Sequence, residues 1–200
     1  MVTILSYGLL SYYEFRWYSP IFIETGSGHG DGIQRALTAG FEHIYSIEAY
    51  DENFMVCAAR FANDARVSLY RGRSVDILPG IIREPSVFFL DAHPSAENSY
   101  GYHEVAQGDR SYMQDTVIRS ELAIILADPN RHLVLIDDLN GNSRYCAYQY
   151  AELIAQAKGD YDFRFYDEDI GTFYKDKVFA AIPFGVQHGN PSAKITEAQV

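Results

Sequence analysis

Acidic side chains stand directly after each of four short apolar runs. Glu24 follows Ile21-Phe22-Ile23, Glu48 follows His43-Ile44-Tyr45-Ser46-Ile47, Asp91 follows Ser86-Val87-Phe88-Phe89-Leu90, and Asp137 with Asp138 follows His132-Leu133-Val134-Leu135-Ile136. If the three aspartates converge, each pair about 4 Å apart repels by ~4 kcal/mol at an effective dielectric of about 20. Protonation, a neighbouring Arg or Lys, or a hard divalent cation must offset that. All-oxygen ligation suits Mg²⁺, Ca²⁺ or Mn²⁺ better than zinc, and a hydroxyl bound to such an ion loses its proton more easily. Asp91, Asp137 and Asp138 are therefore candidate metal ligands. The alternative has Asp91 touching cofactor or substrate while Asp137 or Asp138 caps the next helix. His93, two residues beyond Asp91, is a candidate general base or substrate orienter, or a histidine bonded within its own turn.

The other stretch with chemical content is Glu24-Thr25-Gly26-Ser27-Gly28-His29-Gly30, a strand-to-helix turn with glycine on every second residue. Glycine is needed where φ must be positive or a ligand must approach the backbone more closely than a Cβ allows. A flat organic cofactor fits such a turn. Counted from Gly26, the dinucleotide fingerprint requires glycine at Asp31, so that pattern is not met. Glu24 can accept a hydrogen bond from a cofactor amine or an ordered water, whereas a pyrophosphate would repel it.

The elements that must position these residues follow from periodicity. Ile21-Phe22-Ile23 reads as a strand and Asp31 to Ala39 as a helix closed by Gly40, with Ile33, Ala36 and Leu37 on its inner face. The helix N-terminus faces the glycine turn and places partial positive charge there. His43 to Ile47 is a second strand and Asp51 to Phe61 a second helix. In a βαβ unit both strands end at one sheet edge, where the second-strand acid, Glu48, can hold a ribose diol. Val67 to Tyr70 is a third strand, followed by Gly72-Arg73-Ser74 and a helix to Ile82, with Ser74 as N-cap. Ser86 to Leu90 has the wholly apolar character of a central parallel strand. A polar loop from Ser95 to about Tyr112 offers Tyr100, Tyr102, His103 and Arg110 as substrate contacts. A helix to Ala127, a fifth strand ending at Ile136, a helix over 143–158 and strands Tyr161 to Tyr166 and Lys177 to Ile182 complete the pattern.

Glu24-x-Gly26-x-Gly28-x-Gly30 resembles the first motif of the class I S-adenosylmethionine-dependent methyltransferases. Leu90-Asp91-Ala92-His93 with Ile136-Asp137-Asp138 is similar to the metal-binding pattern of the catechol and macrocin O-methyltransferase groups. The resemblance spans about Ile21 to Gly141. It implies a Rossmann-like α/β fold, doubly wound, with a mostly parallel seven-stranded sheet whose last strand is antiparallel. It implies S-adenosyl-L-methionine as cofactor, bound by Glu24, Gly26, Ser27, Gly28, Gly30 and Glu48, with Glu24 serving the amino acid end. Arg73 stands where the family places an acidic or amide residue facing the adenine amine. It would stack on the ring or point outward, leaving the amine to Ser74 or a backbone group. The implied reaction is methyl transfer to a hydroxyl of a small molecule or sugar, assisted by Mg²⁺ or another hard divalent cation.

Two hundred residues suit one domain, here an aromatic segment over 1–19, a core over 20–183 and a polar tail over 184–200. A net charge of -11 opposes binding to nucleic acid or an anionic membrane and favours a small-molecule acceptor. Cys57 and Cys146 form no C-x-x-C pair, which fits a reduced, cytoplasmic setting. Met1 to Leu5 lacks a basic n-region, and no segment reaches the ~18 apolar residues of a membrane span. Tyr7, Tyr12, Tyr13, Phe15, Trp17 and Tyr18 suggest a helix or irregular segment over the sheet or the cofactor mouth. Three rival functions remain: a nicotinamide-dependent oxidoreductase or epimerase, a non-catalytic cofactor-binding scaffold on the same fold, and another reaction of the same cofactor, such as its cleavage.

Overall fold

Runs of four or five apolar residues without polar interruption become the centre of the sheet, because only a strand covered on both faces can bury every side chain. The computed structural model describes residues 2–92, 110–137, 139, 144–168 and 176–184. In chain order its elements are β1 Ile4–Leu9, α1 Tyr12–Arg16, β2 Ile21–Thr25, α2 Asp31–Thr38, β3 His43–Glu48, α3 Asp51–Arg60, β4 Val67–Arg71, α4 Ser74–Ile81, β5 Val87–Leu90, α5 Arg110–Ala127, β6 Leu133–Ile136, α6 Arg144–Lys158, β7 Tyr161–Glu168 and β8 Asp176–Pro183. Every residue of β2, β5 and β6 is buried.

The strands form one eight-stranded sheet in the order β1-β7-β8-β6-β5-β2-β3-β4. All neighbours are parallel except β8, which runs antiparallel to both β6 and β7. This is the α/β, doubly wound, mostly parallel sheet expected, with its antiparallel last strand. One strand is added at the edge. The N-terminal segment expected as a helix or irregular cover begins as β1, whose Ile4, Leu5 and Ser6 pair with Phe163, Arg164 and Phe165. An edge strand needs partners on one side only, so its sequence need not show the wholly apolar signature of a central strand, and Leu5 is left 49% exposed.

The helices divide between the two faces. On one, α1, α2 and α3 bury Tyr12, Phe15, Ile33, Ala36, Leu37 and Cys57 against Phe22, Ile44, Phe89 and Leu135. On the other, α4, α5 and α6 bury Leu78, Ile118, Leu122, Ile125, Ala151 and Ile154 against Ile23, Ile47, Phe88 and Val134. The N-terminal aromatics belong to the first core: the Tyr12 ring lies 5.6 Å from Phe22 and 5.7 Å from Phe89, and Phe15 meets Tyr166 edge-on at 5.6 Å. Among the described residues no helix is long and apolar enough to cross a membrane.

Candidate functional site

Register brings the strand-end acids to one rim. Thr25 pairs with Ile47 and with Leu90, and Leu90 pairs with Ile136. Glu24, Glu48, Asp91 and Asp137 therefore stand within one residue of the carboxyl ends of four adjacent parallel strands, where open α/β sheets bind ligands. Asp91 and Asp137 are next neighbours, tied by the Asp137 N–H donating to the Leu90 carbonyl at 3.1 Å.

The glycine turn folds over the end of β3, with the N–H groups of Gly26 and Ser27 both donating to the Ile47 carbonyl at 2.9 and 3.2 Å. Its three glycines serve different ends. A Cβ on Gly26, at φ 83°, would lie 2.5 Å from the Asp91 carbonyl oxygen, so its absence lets the turn pack against the chain leaving β5. A Cβ on Gly30, at φ 89°, would strike the Phe61 ring at 2.5 Å; this residue is the N-cap of α2. Only the Cβ position of Gly28, at φ 49°, has no atom within 4 Å. Of the three, Gly28 is the one whose missing side chain leaves open space for a ligand.

Glu24 lies beneath this turn and is 2% exposed. The Ser46 hydroxyl donates to Glu24 Oε2 at 2.5 Å, and Ser27 Oγ lies 2.6 Å from Ser46 Oγ. The first turn of α2 closes over the carboxyl: a Cβ on Gly32 would fall 1.8 Å from Oε1. Burial pushes the Glu24 carboxyl up to about 8; the Ser46 hydrogen bond and Arg35 oppose the rise, while Asp91 and Glu48 add to it. Glu48 is itself 8% exposed and held by the backbone, Oε2 accepting from Gly28 N–H at 2.9 Å and Oε1 from Tyr50 N–H at 2.8 Å. Each oxygen keeps lone-pair capacity beyond those bonds. Cys57 of α3 donates through sulfur to the Gly28 carbonyl at 3.3 Å, and burial pushes its thiol up to about 11, which keeps it protonated.

A second polar chain supports the Asp91 side. The Asp91 N–H donates to the Thr25 carbonyl at 3.0 Å and approaches Thr25 Oγ1 at 3.4 Å, and the Thr25 hydroxyl donates to the fully buried Glu121 of α5 at 3.3 Å. Ser46, Thr25, Glu121 and Cys57 were not among the residues singled out from the sequence. Two of them had a signal. Ser46 is a hydroxyl inside an otherwise apolar strand, directly across from Glu24. Glu121 lies three residues after Ile118 and four before Ile125, on the apolar face of its helix.

Past β4 the structure departs from the expected cap. Arg73, with extended φ and ψ of -75° and 138°, is the N-cap of α4 without a side-chain cap bond, and Ser74 is the first helical residue. The turn is closed by backbone instead, Asp76 N–H donating to the Arg73 carbonyl at 3.1 Å. The Arg73 side chain is exposed and Ser74 is 8% exposed. His93, Asp138, Tyr100, Tyr102 and His103 lie outside the described residues, as does the side chain of Arg110.

Among the described residues no group of three metal-ligating side chains is assembled. Asp91 and Asp137 are the two expected ligands that are described, both partly buried. Mg²⁺ is commonly held by about one or two carboxylates with water or substrate oxygens completing the shell, so this pair fits such an ion in kind and number.

No protein-family model and no curated protein matches the chain. Among solved structures it is similar to a candidate methyltransferase of Streptococcus mutans in complex with SAH (S-adenosylhomocysteine), at 11% identity over 85% of this chain and 95% of that one, with a TM-score of 0.56. It is similar to an O-methyltransferase of Bacillus cereus in complex with SAH, at 14% identity over 84% and 76% of the two chains, with a TM-score of 0.54. An rRNA methylase of Streptococcus thermophilus aligns at 11% identity over 85% and 92%, with a TM-score of 0.53. What the chain shares with them at such identities is the fold.

Proposed function

We propose that the protein is an S-adenosylmethionine-dependent methyltransferase acting on a hydroxyl of a small molecule or sugar. The observation that carries this reading is the open position at Gly28, whose N–H donates to Glu48, on the sheet rim where Asp91 and Asp137 follow the ends of β5 and β6. It is supported by the fold shared with proteins solved in complex with SAH. A dinucleotide would set a pyrophosphate against the acid-rich rim and would require glycine at Asp31, so a nicotinamide enzyme is disfavoured.

The cofactor supplies an electrophilic methyl group on a cationic sulfur. Gly28 admits it to the backbone, Glu48 orients toward its ribose, and Glu24 presents the counter-charge for its ammonium. Asp91 and Asp137, just past β5 and β6, would orient the acceptor hydroxyl. A cationic donor and an anionic oxygen lose charge as they meet, so holding them in line is the main demand. Such positioning contributes up to about 7–11 kcal/mol when the geometry is near attack. Asp91 and Asp137, joined by Asp138, are the residues that would hold a hard divalent cation and so ease loss of the acceptor proton. His93 is the general base in this reading.

Isothermal titration with SAH and with NAD tests it. Binding of SAH alone is expected, followed by methyl transfer to hydroxyl-bearing acceptors when S-adenosylmethionine is supplied. Tight NAD binding without SAH binding would overturn the reading. SAH binding with no turnover on any acceptor would assign the fold to a cofactor-binding scaffold.

A further inference from the structure

The geometry points to Ser46 as a positioning residue of the cofactor site, one hydroxyl that joins the glycine turn to Glu24 so that the two respond to a ligand ammonium as a unit. The inference rests on the methyltransferase reading and names a residue that reading does not use. Ser46 is on β3, fully buried, with Glu24 on one side and Ser27 on the other.

A hydroxyl has one proton to give. While Ser46 donates to Glu24 Oε2, it can only accept from Ser27, so the Ser27 hydroxyl must donate inward. If Glu24 takes up a proton and donates instead, Ser46 is free to donate to Ser27, and the Ser27 hydroxyl turns outward. All three residues are at most 4% exposed, so water does not substitute for a missing link. The orientation of a hydroxyl within the glycine turn is thereby tied to the charge on an acid beneath it.

The charged and titratable groups facing Glu24 are Asp91 beyond β5, Glu48 at the end of β3, Arg35 on α2 and Cys57 on α3. Before ligand arrives the carboxyl is mostly protonated at neutral pH. A ligand ammonium favours the ionised form, which accepts the Ser46 hydrogen bond more strongly than the neutral acid does. Binding of the amino acid end of the cofactor then expels a proton and sets the Ser27 hydroxyl inward.

The test is titration of the full chain with SAH in two buffers of different ionisation enthalpy, from pH 6 to 9, on the wild type and on Ser46→Ala, Ser46→Thr and Ser27→Ala. The wild type is expected to release close to one proton per SAH at pH 7, and its affinity to climb with pH up to about 8. Ser46→Ala is expected to bind about ten- to a hundred-fold more weakly at pH 7, the worth of a hydrogen bond to a charged group, with its pH profile displaced upward. Ser46→Thr, which keeps the hydroxyl, restores both. Should Ser46→Ala not fold, Ser27→Ala breaks the same chain from the turn and is expected to weaken SAH binding. Wild-type affinity and an unmoved pH profile in either alanine variant would overturn the inference while leaving the methyltransferase reading intact. Absence of any SAH binding by the wild type overturns that reading and this inference with it.

Discussion

Gly26→Ala and Gly28→Ala add the same methyl group two residues apart and are expected to damage different properties. At Gly26 the new Cβ falls 2.5 Å from the Asp91 carbonyl oxygen and 2.9 Å from its carbon, both backbone atoms that no rotamer change can remove. An L-residue in the left-handed region costs about 1–2 kcal/mol. Forcing a methyl into a filled space adds about 1–3 kcal/mol. Together they amount to ~2–5 kcal/mol, and at about 2–4 °C per kcal/mol for a chain of this size the melting temperature should fall by ~4–20 °C. Gly28 also has positive φ, but its Cβ meets nothing within 4 Å. Its variant should lose only about 1–2 kcal/mol of stability, since Ala keeps the N–H that Glu48 accepts. The methyl instead occupies the space left for ligand, so SAH affinity should drop by about five- to a hundred-fold, an overpacking cost of ~1–3 kcal/mol transferred to binding. Thermal unfolding of the free proteins and calorimetry with SAH read the two effects separately. If Gly26→Ala melts with the wild type, or if Gly28→Ala binds SAH unimpaired, the division of labour assigned to these glycines is wrong.

Three further outcomes follow from the buried titratable groups and the acidic rim. The Glu24 carboxyl is raised from 4.5 to about 8, so the folded state holds a proton that the unfolded state has lost; stability is full below the lower value and declines as pH rises through this window. At ~1.36 kcal/mol per pH unit the decline is at most about 5 kcal/mol, and urea unfolding at pH 5 and pH 8.5 should show it in the wild type and not in Glu24→Gln. His132 moves the opposite way. Its Nδ1 accepts the Ser86 N–H at 3.2 Å and its Nε2 meets Asp128 at 3.2 Å, so a second ring proton has no place; burial lowers its pKa although Asp128 opposes this. That contribution is present above the ordinary histidine value of 6.5 and is lost as pH falls below it, which unfolding of Glu24→Gln from pH 7 to 5 should expose with the Glu24 effect removed. Asp137→Ala should abolish divalent-ion-stimulated turnover while leaving SAH affinity within a few-fold, and full activity in EDTA would exclude a metal role.

The sequence displayed the parallel core well because its signals are local. Ile21-Phe22-Ile23, Val87 to Leu90 and Leu133 to Ile136 are uninterrupted apolar runs, and burial on both faces is the condition that selects such runs. The strand-end acids were legible for the same reason, since a polar residue ending an apolar run marks the sheet rim. β1 was not, because one-sided pairing with β7 leaves no alternation or apolar run to find. The cap of α4 was misplaced by one residue because Ser74 is a good capping type, whereas the backbone between Arg73 and Asp76 closes that turn unaided. Ser46 and Glu121 escaped because their meaning depends on partners 22 and 96 residues distant from the one they touch or join. Long-range polar pairing has no periodicity.

Those distant pairs explain how a turn of alternating glycines can be a fixed site rather than a loose loop. Gly26 and Gly30 are filled from below by Asp91 and Phe61, and Gly28 is held through its N–H by Glu48 and through its carbonyl by Cys57. The contacts come from three separate parts of the fold: the chain after β5, the end of β3, and α3, which supplies Cys57 from its interior and Phe61 from its C-cap. Ordering a residue costs about 1–2 kcal/mol of backbone entropy, and here folding of the sheet meets that cost before ligand arrives. The same packing that removes freedom from the turn leaves one unfilled position, at Gly28. A cofactor that lies there can bind without ordering the loop itself, so its affinity depends on the electrostatics of Glu24 and Glu48 more than on loop closure.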